Sequence, residues 1–131
     1  MLKGVTVKDY MAENPVTFTA DMEILHAIHA LVENRISGAP VIDEHGELIG
    51  MLSEQDCMTV ALHAAYHGEW GGKVSEYMNN EVSTIDADAS IADVAAMFMT
   101  ARYRRYPVVQ GNRVVGQISR RDVLRALAVL R

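Results

Sequence analysis

The sequence predicts an α+β (α/β) protein with two β-α-β-β-α units, packed sheet to sheet about a pseudo-two-fold axis. The first observation is an internal repeat, because sliding the chain by 67 residues, with one residue fewer in the loop before the last three matches, aligns thirteen identities in order. The second is that each copy combines short β-branched runs with apolar residues at helical spacing. The third is size: one copy of about sixty residues cannot cover both faces of a small sheet alone.

The repeat extends over most of the chain and defines its organisation. It opens with VKDYM at Val7–Met11 and VSEYM at Val74–Met78. It closes with the motif Gly-x-x-Ser-x-x-Asp, at Gly50–Asp56 and at Gly116–Asp122. The glycine-rich stretch HGEWGG between the copies is typical of a linker. We therefore expect one domain at residues 1–66, a linker at 67–73 and a second domain at 74–131.

Each copy begins with a strand and a helix. β-branched residues predict short strands at Pro15–Phe18 and Val82–Ile85. Asp21 and Asp88 follow at the positions expected of helix N-caps. An apolar stripe of helical period comes after each aspartate, as in Ile24, Ile28, Leu31 and Val32 of the first copy.

A hairpin and a second helix complete each copy. The hairpin strands are predicted around the turns DEHG and GN, at Ala39–Ile42 with Glu47–Leu52 and at Pro107–Gln110 with Arg113–Ile118. The second helices are expected from Glu54 to about His67 and from Arg120 to about Leu130. Both helices have apolar faces, and burial in the core accounts for part of them.

Composition excludes several classes of protein. Half of the 131 residues are hydrophobic, which is enough for a core. No apolar run reaches the ~18 residues that a membrane span needs, and Met1–Tyr10 does not resemble a signal peptide. The single cysteine, Cys57, excludes an internal disulfide and favours a reducing compartment. The chain is therefore predicted to be cytoplasmic, with no contact with a membrane.

Charge is divided unevenly along the chain. Residues 1–100 hold four basic and sixteen acidic residues, a net charge of -12. Residues 101–131 hold eight arginines and one acidic residue, Asp122, a net charge of +7. A local excess of guanidinium groups favours an anionic partner near the C-terminal segment. The acidic remainder and the lack of a nucleic-acid motif argue against RNA or DNA binding.

The order VTF…RISGAPVID…IGMLSEQD, followed by STI…RYRRYPVVQ…VGQISRRD, resembles a tandem pair of CBS domains, often called a Bateman module. The resemblance covers nearly the whole chain. It implies a regulatory, energy-sensing module that binds AMP, ADP, ATP or a related adenosyl ligand in two clefts between the repeats. It also implies a homodimer, an unknown effector protein, no required cofactor and no enzyme activity. The chain is accordingly identified as a stand-alone CBS-domain protein.

The same resemblance implies two sets of ligand-binding residues. In the family the aspartate accepts bonds from ribose hydroxyls, the serine supports ribose or phosphate, and backbone and apolar groups hold the adenine. The second cleft is expected to prefer phosphate, because guanidinium groups hold phosphates and Glu54 opposes them in the first. The second set is Val82, Ser83, Tyr103, Arg104, Arg105, Pro107, Ser119, Arg120, Arg121 and Asp122. The first, weaker set is Pro15, Val16, Ile36, Ser37, Gly38, Pro40, Ser53 and Asp56.

Other interpretations remain open at this point. Ser-x-x-Asp at the start of a helix is also a capping box, which needs no ligand. The arginines can be solvated or paired with acidic residues. The histidine pairs lack a third ligand at a clear spacing, so a metal site is not predicted. A protein-interaction module without a physiological nucleotide is the alternative function.

Overall fold

The computed structural model describes residues 4–68, 71–100 and 104–129. In these residues the chain forms seven strands and four α-helices, and short 3₁₀ helices at Val7–Asp9 and Val74–Glu76. The elements in order are β1 (Ala12–Glu13), β2 (Phe18–Thr19), α1 (Ile24–Asn34), β3 (Gly38–Ile42), β4 (Leu48–Ser53), α2 (Glu54–His67), β5 (Ile85–Asp86), α3 (Ile91–Thr100), β6 (Arg105–Gln110), β7 (Arg113–Ser119) and α4 (Arg120–Val129).

These elements form two compact units whose boundaries differ from those of the sequence repeats. The first unit is Val16–Val82, and the second unit is Met1–Pro15 with Ser83–Arg131. Each unit has the predicted β-α-β-β-α order, so the α+β fold class is confirmed. The first unit also includes residues 74–82 of the second repeat, and the second unit includes residues 1–15 of the first repeat. We call these two stretches the leading segments. The repeat pattern did not predict their exchange.

The second unit is built on a four-stranded sheet with the order β1-β7-β6-β5. β5 is parallel to β6, and β7 is antiparallel to both β6 and β1. The added strand β1 places Ala12 opposite Gln117 in the register. The core of the unit lies between this sheet and its helices, and it includes Ile91, Val108 and Ile118, all fully buried.

The first unit repeats this arrangement with one strand fewer. Its sheet has the order β2-β3-β4, with β2 parallel to β3 and β4 antiparallel to β3. An isolated antiparallel bridge between Met51 and Asn79 occupies the place that β1 has in the second unit. Phe18, Ile24 and Leu52 are buried in its core.

The starts of the first helices differ from the sequence prediction. The N-caps predicted at Asp21 and Asp88 are wrong, because each carboxylate has another partner. Asp21 Oδ1 accepts a hydrogen bond from Thr19 Oγ1 at 3.0 Å, and Asp88 Oδ1 accepts one from Lys8 Nζ at 2.9 Å. Ser90 Oγ caps α3 instead, by accepting a bond at 3.0 Å from a first-turn amide. β2 and β5 also begin three residues later than predicted.

Candidate functional site

The repeated Ser-x-x-Asp motif forms a capping box at the start of α2 and again at the start of α4. The amide of Ser53 donates to Asp56 Oδ2 at 2.9 Å, and the amide of Asp56 donates to Ser53 Oγ at 3.2 Å. The corresponding distances at Ser119 and Asp122 are 2.9 and 3.3 Å. The capping interpretation is therefore confirmed in both units, and one carboxylate oxygen of each aspartate is engaged in holding a helix start.

The second oxygen of Asp122 joins a contact to the leading segment of the second unit. Arg125 Nη2 donates to Asp122 Oδ1 at 3.1 Å and to the carbonyl oxygen of Tyr10 at 2.9 Å. The guanidinium also lies 5.9 Å from the centre of the Tyr10 ring. In the first unit Thr59 occupies the position of Arg125, so this link belongs to the second unit alone.

A cavity of about 160 Å³ opens beside Asp122, within the second unit. β6 and β7 place Arg105 directly opposite Ser119, and the helix turn that follows places Asp122 next to them. The structure therefore brings together three of the predicted binding residues. The cavity is lined by Ala12, Arg105, Gln117, Ile118, Ser119 and Asp122.

Gln117 is a candidate site residue that the sequence interpretation missed. Its side chain is 7% exposed, and its Nε2 has no hydrogen-bond partner among the described residues. It lies in β7 between Gly116 and Ile118, where the first repeat has Met51 at the same register. The signal in the sequence was a side-chain amide within a predicted strand, at a position where the first repeat has Met51.

The other residues predicted for the second site have varied positions. Pro107 is buried in β6, whereas Arg104, Arg120 and Arg121 are exposed. The carbonyl of Arg104 accepts a hydrogen bond from the amide of Arg120 at 3.2 Å, so these two residues are adjacent. Ser83 is exposed.

Val82 and Tyr103 complete that set. Val82 is half-buried and belongs to the first unit, not to the unit that contains the cavity. Tyr103 lies outside the described residues.

The residues predicted for the first site include no arginine, and the structure describes all of them. Gly38 and Pro40 are buried in β3, and Gly38 lies opposite Ser53. An added Cβ at Gly38 would lie 3.0 Å from the carbonyl oxygen of Leu52, so the backbone packs closely where the second unit has Arg105. Ser37 is exposed, and its carbonyl accepts a bond from the amide of Glu54 at 2.8 Å.

The remaining residues of the first set are apolar and half-buried. Ile36 packs against the core of the first unit, as does Val16. Pro15 is half-buried and belongs to the second unit.

The glycines of the repeated motif permit close packing of the leading segments. A Cβ added at Gly116 would lie 2.6 Å from Met11 Sδ and 2.7 Å from the carbonyl oxygen of Ala12. At Gly50 the corresponding atoms are Met78 Sδ at 2.8 Å and the carbonyl oxygen of Asn79 at 3.1 Å. Glycine at these positions is therefore explained by packing.

Metal and nucleophile chemistry find no support in the part of the chain that the structure describes. No cluster of three His, Cys, Asp or Glu side chains is placed to hold a metal ion there. His63 Nδ1 lies 3.4 Å from the hydroxyl of Tyr77. Cys57 is 6% exposed, and burial, with smaller effects of Asp56 and Glu54, raises the pKa of its thiol to about 11. A thiol with so high a pKa is a poor nucleophile at neutral pH.

The described helices do not include a membrane span. None of the helices of residues 4–68, 71–100 and 104–129 combines the length and the apolar character needed to cross a bilayer.

Comparison with known proteins identifies the family. The CBS domain family matches residues 7–63 and again residues 74–129. The chain belongs to the CBS-domain family. The CBS pair CBSX2 of Arabidopsis thaliana, solved in complex with AMP, is similar over 98% of this chain and 100% of its own, with 27% identity and a TM-score of 0.83.

A second solved CBS pair contains different adenosyl ligands. The CBS domain pair of MJ0100, in complex with 5′-methylthioadenosine and S-adenosyl-L-methionine, is 27% identical to this chain. The match covers 97% of this chain and 98% of that one, with a TM-score of 0.76. Both structures have the same CBS-pair fold as the protein described here.

The curated relatives include larger proteins. The zinc metalloprotease MJ0392 of Methanocaldococcus jannaschii is 30% identical over 131 aligned residues, which cover 99% of this CBS pair and 34% of the metalloprotease. The chain spans between 22% and 42% of the length of the first curated relatives that it matches. CBS pairs thus occur within enzymes as well as in small proteins.

Proposed function

We propose that this CBS pair is a non-catalytic, cytoplasmic regulatory module that binds an adenosyl ligand, with its preferred site at the cavity of the second unit. The observation that carries the proposal is the convergence of Arg105, Ser119 and Asp122 on that cavity. AMP in CBSX2, and 5′-methylthioadenosine and S-adenosyl-L-methionine in MJ0100, support the choice of ligand class.

Asp122 is the proposed anchor for the ribose hydroxyls. A carboxylate offers about four acceptor positions. Ser119 occupies two of them at Oδ2, and Arg125 occupies one at Oδ1. The side chain is 16% exposed, so the remaining position is accessible to a small donor. A vicinal diol suits such a carboxylate, as in dinucleotide-binding folds.

Arg105 is the proposed contact for the anionic part of the ligand. It is half-buried at the cavity, where a guanidinium–phosphate pair is less screened than on the surface. Arg120 and Arg121 are exposed on the first turn of α4 and add positive charge nearby. A volume of about 160 Å³ is below the ~300 Å³ of typical ligand pockets, so this cavity holds only part of a nucleotide.

The first unit is proposed to bind the same ligands weakly or to prefer a less anionic one. Gly38 and Met51 occupy the positions of Arg105 and Gln117 there. Glu54, in the first turn of α2, would repel a phosphate beside it. The capping box of Ser53 and Asp56 forms without a ligand.

Ligand binding can be transmitted through Arg125. Only one acceptor position of Asp122 is free, so a ribose diol that donates two bonds competes with Arg125, which also holds the carbonyl of Tyr10 in the leading segment. Binding then shifts the equilibrium between two positions of that segment, provided that the ligand binds them with different affinity. A coupling of ~1–3 kcal/mol gives a several-fold to hundred-fold effect on an effector protein.

A homodimer is the proposed assembly. Met58, Leu62 and Tyr66 are exposed at four-residue spacing on α2, so they lie along one face of that helix. On α4, Leu124 and Leu127 are exposed at three-residue spacing, which also places them along one face. Light scattering after gel filtration tests this: we expect a dimer for the native chain and a monomer after Leu62→Glu. A monomer for both contradicts the assembly.

One observation favours the alternative of an interaction module without a nucleotide: Asp122 already has internal partners for both carboxylate oxygens. Isothermal titration of AMP, ADP, ATP and S-adenosylmethionine into ligand-stripped protein separates the two functions. We expect binding of at least one phosphorylated nucleotide. Absence of binding for all four would favour the interaction module.

A further inference from the structure

We propose that Gln117 is a specificity-determining residue, whose side-chain amide donates a hydrogen bond to an anionic oxygen of the ligand bound in the second unit. The inference rests on the proposed function and deepens it. It assigns to the cavity a preference for ligands that carry an oxyanion, and it assigns that preference to a residue outside the Ser-x-x-Asp motif.

The side-chain amide of Gln117 is buried without a partner among the described residues. More than 90% of buried backbone polar groups, and the large majority of buried side-chain polar atoms, have a hydrogen-bond partner in proteins. Gln117 is 7% exposed, yet its Nε2 has none among the described residues. Leaving a buried donor unpaired is costly. The amide lines the cavity, so a ligand there can supply the missing acceptor.

The groups next to Gln117 at the cavity are a guanidinium and a carboxylate. Arg105 brings a guanidinium to the same cavity, so two side chains offer donors there. The carboxylate of Asp122 is the opposing acceptor, and three of its bonds are internal. A cavity richer in free donors than in free acceptors suits a phosphate or carboxylate oxygen.

The first unit has no amide at the position of Gln117. Met51 occupies the equivalent position in β4, and the strand forms with the same register relative to Ser53. The fold therefore does not require an amide there. Methionine is also close in length to glutamine, which makes Gln117→Met a conservative test and Met51→Gln its matched control.

Calorimetric titration of AMP and adenosine into ligand-stripped protein tests the inference. In Gln117→Met we expect AMP affinity to fall about tenfold, as for loss of a bond to a charged group, and adenosine affinity to change less than about twofold. Met51→Gln should leave AMP affinity at the Gln117 site unchanged. Equal losses for AMP and adenosine, or no loss for either, would overturn the role of Gln117.

Thermal unfolding without ligand gives a second readout. Because the unpaired amide is costly, Gln117→Met should raise the melting temperature by a few degrees. A lower melting temperature would show that the amide is satisfied internally and would overturn the inference. If the native protein binds neither AMP nor adenosine, the proposed function fails. If it binds AMP with an affinity that Gln117→Met leaves unchanged, only the inference fails.

Discussion

The two units have the same plan but differ in the side chains around the capping box. Both retain Gly, Ser and Asp at equivalent positions, and in both these residues pack a leading segment or hold a helix start. They differ at neighbouring positions, where the second unit has Arg105, Gln117 and Arg125 and the first has Gly38, Met51 and Thr59.

This difference teaches how function can be separated from folding in a duplicated domain. The Gly, Ser and Asp shared by the two copies contribute to stability, because each has an internal contact that needs no ligand. Ser119 and Asp122 also line the cavity, and Arg105 and Gln117, which the first unit lacks, add the hydrogen-bond donors there. The shared residues therefore account for the fold, and the differing ones distinguish the preferred site from its counterpart.

The largest expected effect concerns the close contacts of the two motif glycines. We expect Gly116→Ala to lower the free energy of unfolding by about 2–4 kcal/mol and Gly50→Ala by about 1–2 kcal/mol. The added Cβ meets a backbone carbonyl at 2.7 Å in the second unit but at 3.1 Å in the first. Urea denaturation measures both. A larger loss for Gly50→Ala would contradict the packing comparison.

The second effect concerns the two aspartates. Asp122→Ala should weaken AMP binding at least tenfold, and Asp56→Ala less than twofold, because the preferred site lies in the second unit. Ser119→Ala should act in the same direction as Asp122→Ala. Titration calorimetry measures the affinities.

The control for these variants is built into the repeat. Both aspartates belong to capping boxes of the same geometry, so each alanine variant should lose a similar ~1 kcal/mol from the box, and Asp122→Ala also loses its bond to Arg125. Urea denaturation measures both losses, so a difference in affinity can be separated from a difference in stability. Equal losses of affinity would show that the ranking of the two sites is wrong.

The third effect concerns the exposed arginines of α4. Reversing the charge of both Arg120 and Arg121 to Glu makes the start of α4 resemble that of α2, which begins with Glu54. We expect ATP affinity to fall about three- to tenfold and adenosine affinity to stay within twofold, with a smaller ATP effect at high salt. Equal damage to both ligands would argue against a phosphate contact.

The smallest effect concerns Cys57, which occupies the position that Val123 has in the second unit. Its pKa is raised from 9.0 to about 11, so the folded state keeps a proton that the unfolded state releases above pH 9. Stability should therefore fall as pH rises from 9 towards 11. Cys57→Val should change stability by less than about 1 kcal/mol at pH 7 and remove this thiol's share of the fall. Urea denaturation at pH 8 and pH 10 compares the native chain with Cys57→Val. An identical pH dependence of stability in the two proteins would contradict the role of this thiol.

The repeat was sufficient to predict the element order, and local chemistry was sufficient for several boundaries. α2 runs from Glu54 to His67 as predicted, because the capping box and Gly68 mark its ends. The exchange of leading segments was not predictable, since Val7–Met11 and Val74–Met78 are similar enough to pack on either copy. The caps at Asp21 and Asp88 were misassigned because α1 begins after Glu23 without a side-chain cap, and Ser90 caps α3.

The candidate site was predicted in part for a related reason. The motif and its charge difference indicated Arg105, Ser119 and Asp122, which share one cavity. Gln117 was missed because the sequence shows neither which way its side chain points in the strand nor that its amide has no partner among the described residues. Its polarity at a position where the other repeat has Met51 was visible in the sequence but was not weighed.

The most direct test is a crystal structure of the protein grown with AMP. The account predicts nucleotide density at the second unit, with a ribose hydroxyl on Asp122 and a phosphate oxygen within hydrogen-bond distance of Arg105 and Gln117. Density at the first unit alone, or AMP bound without contact to these three side chains, would contradict it.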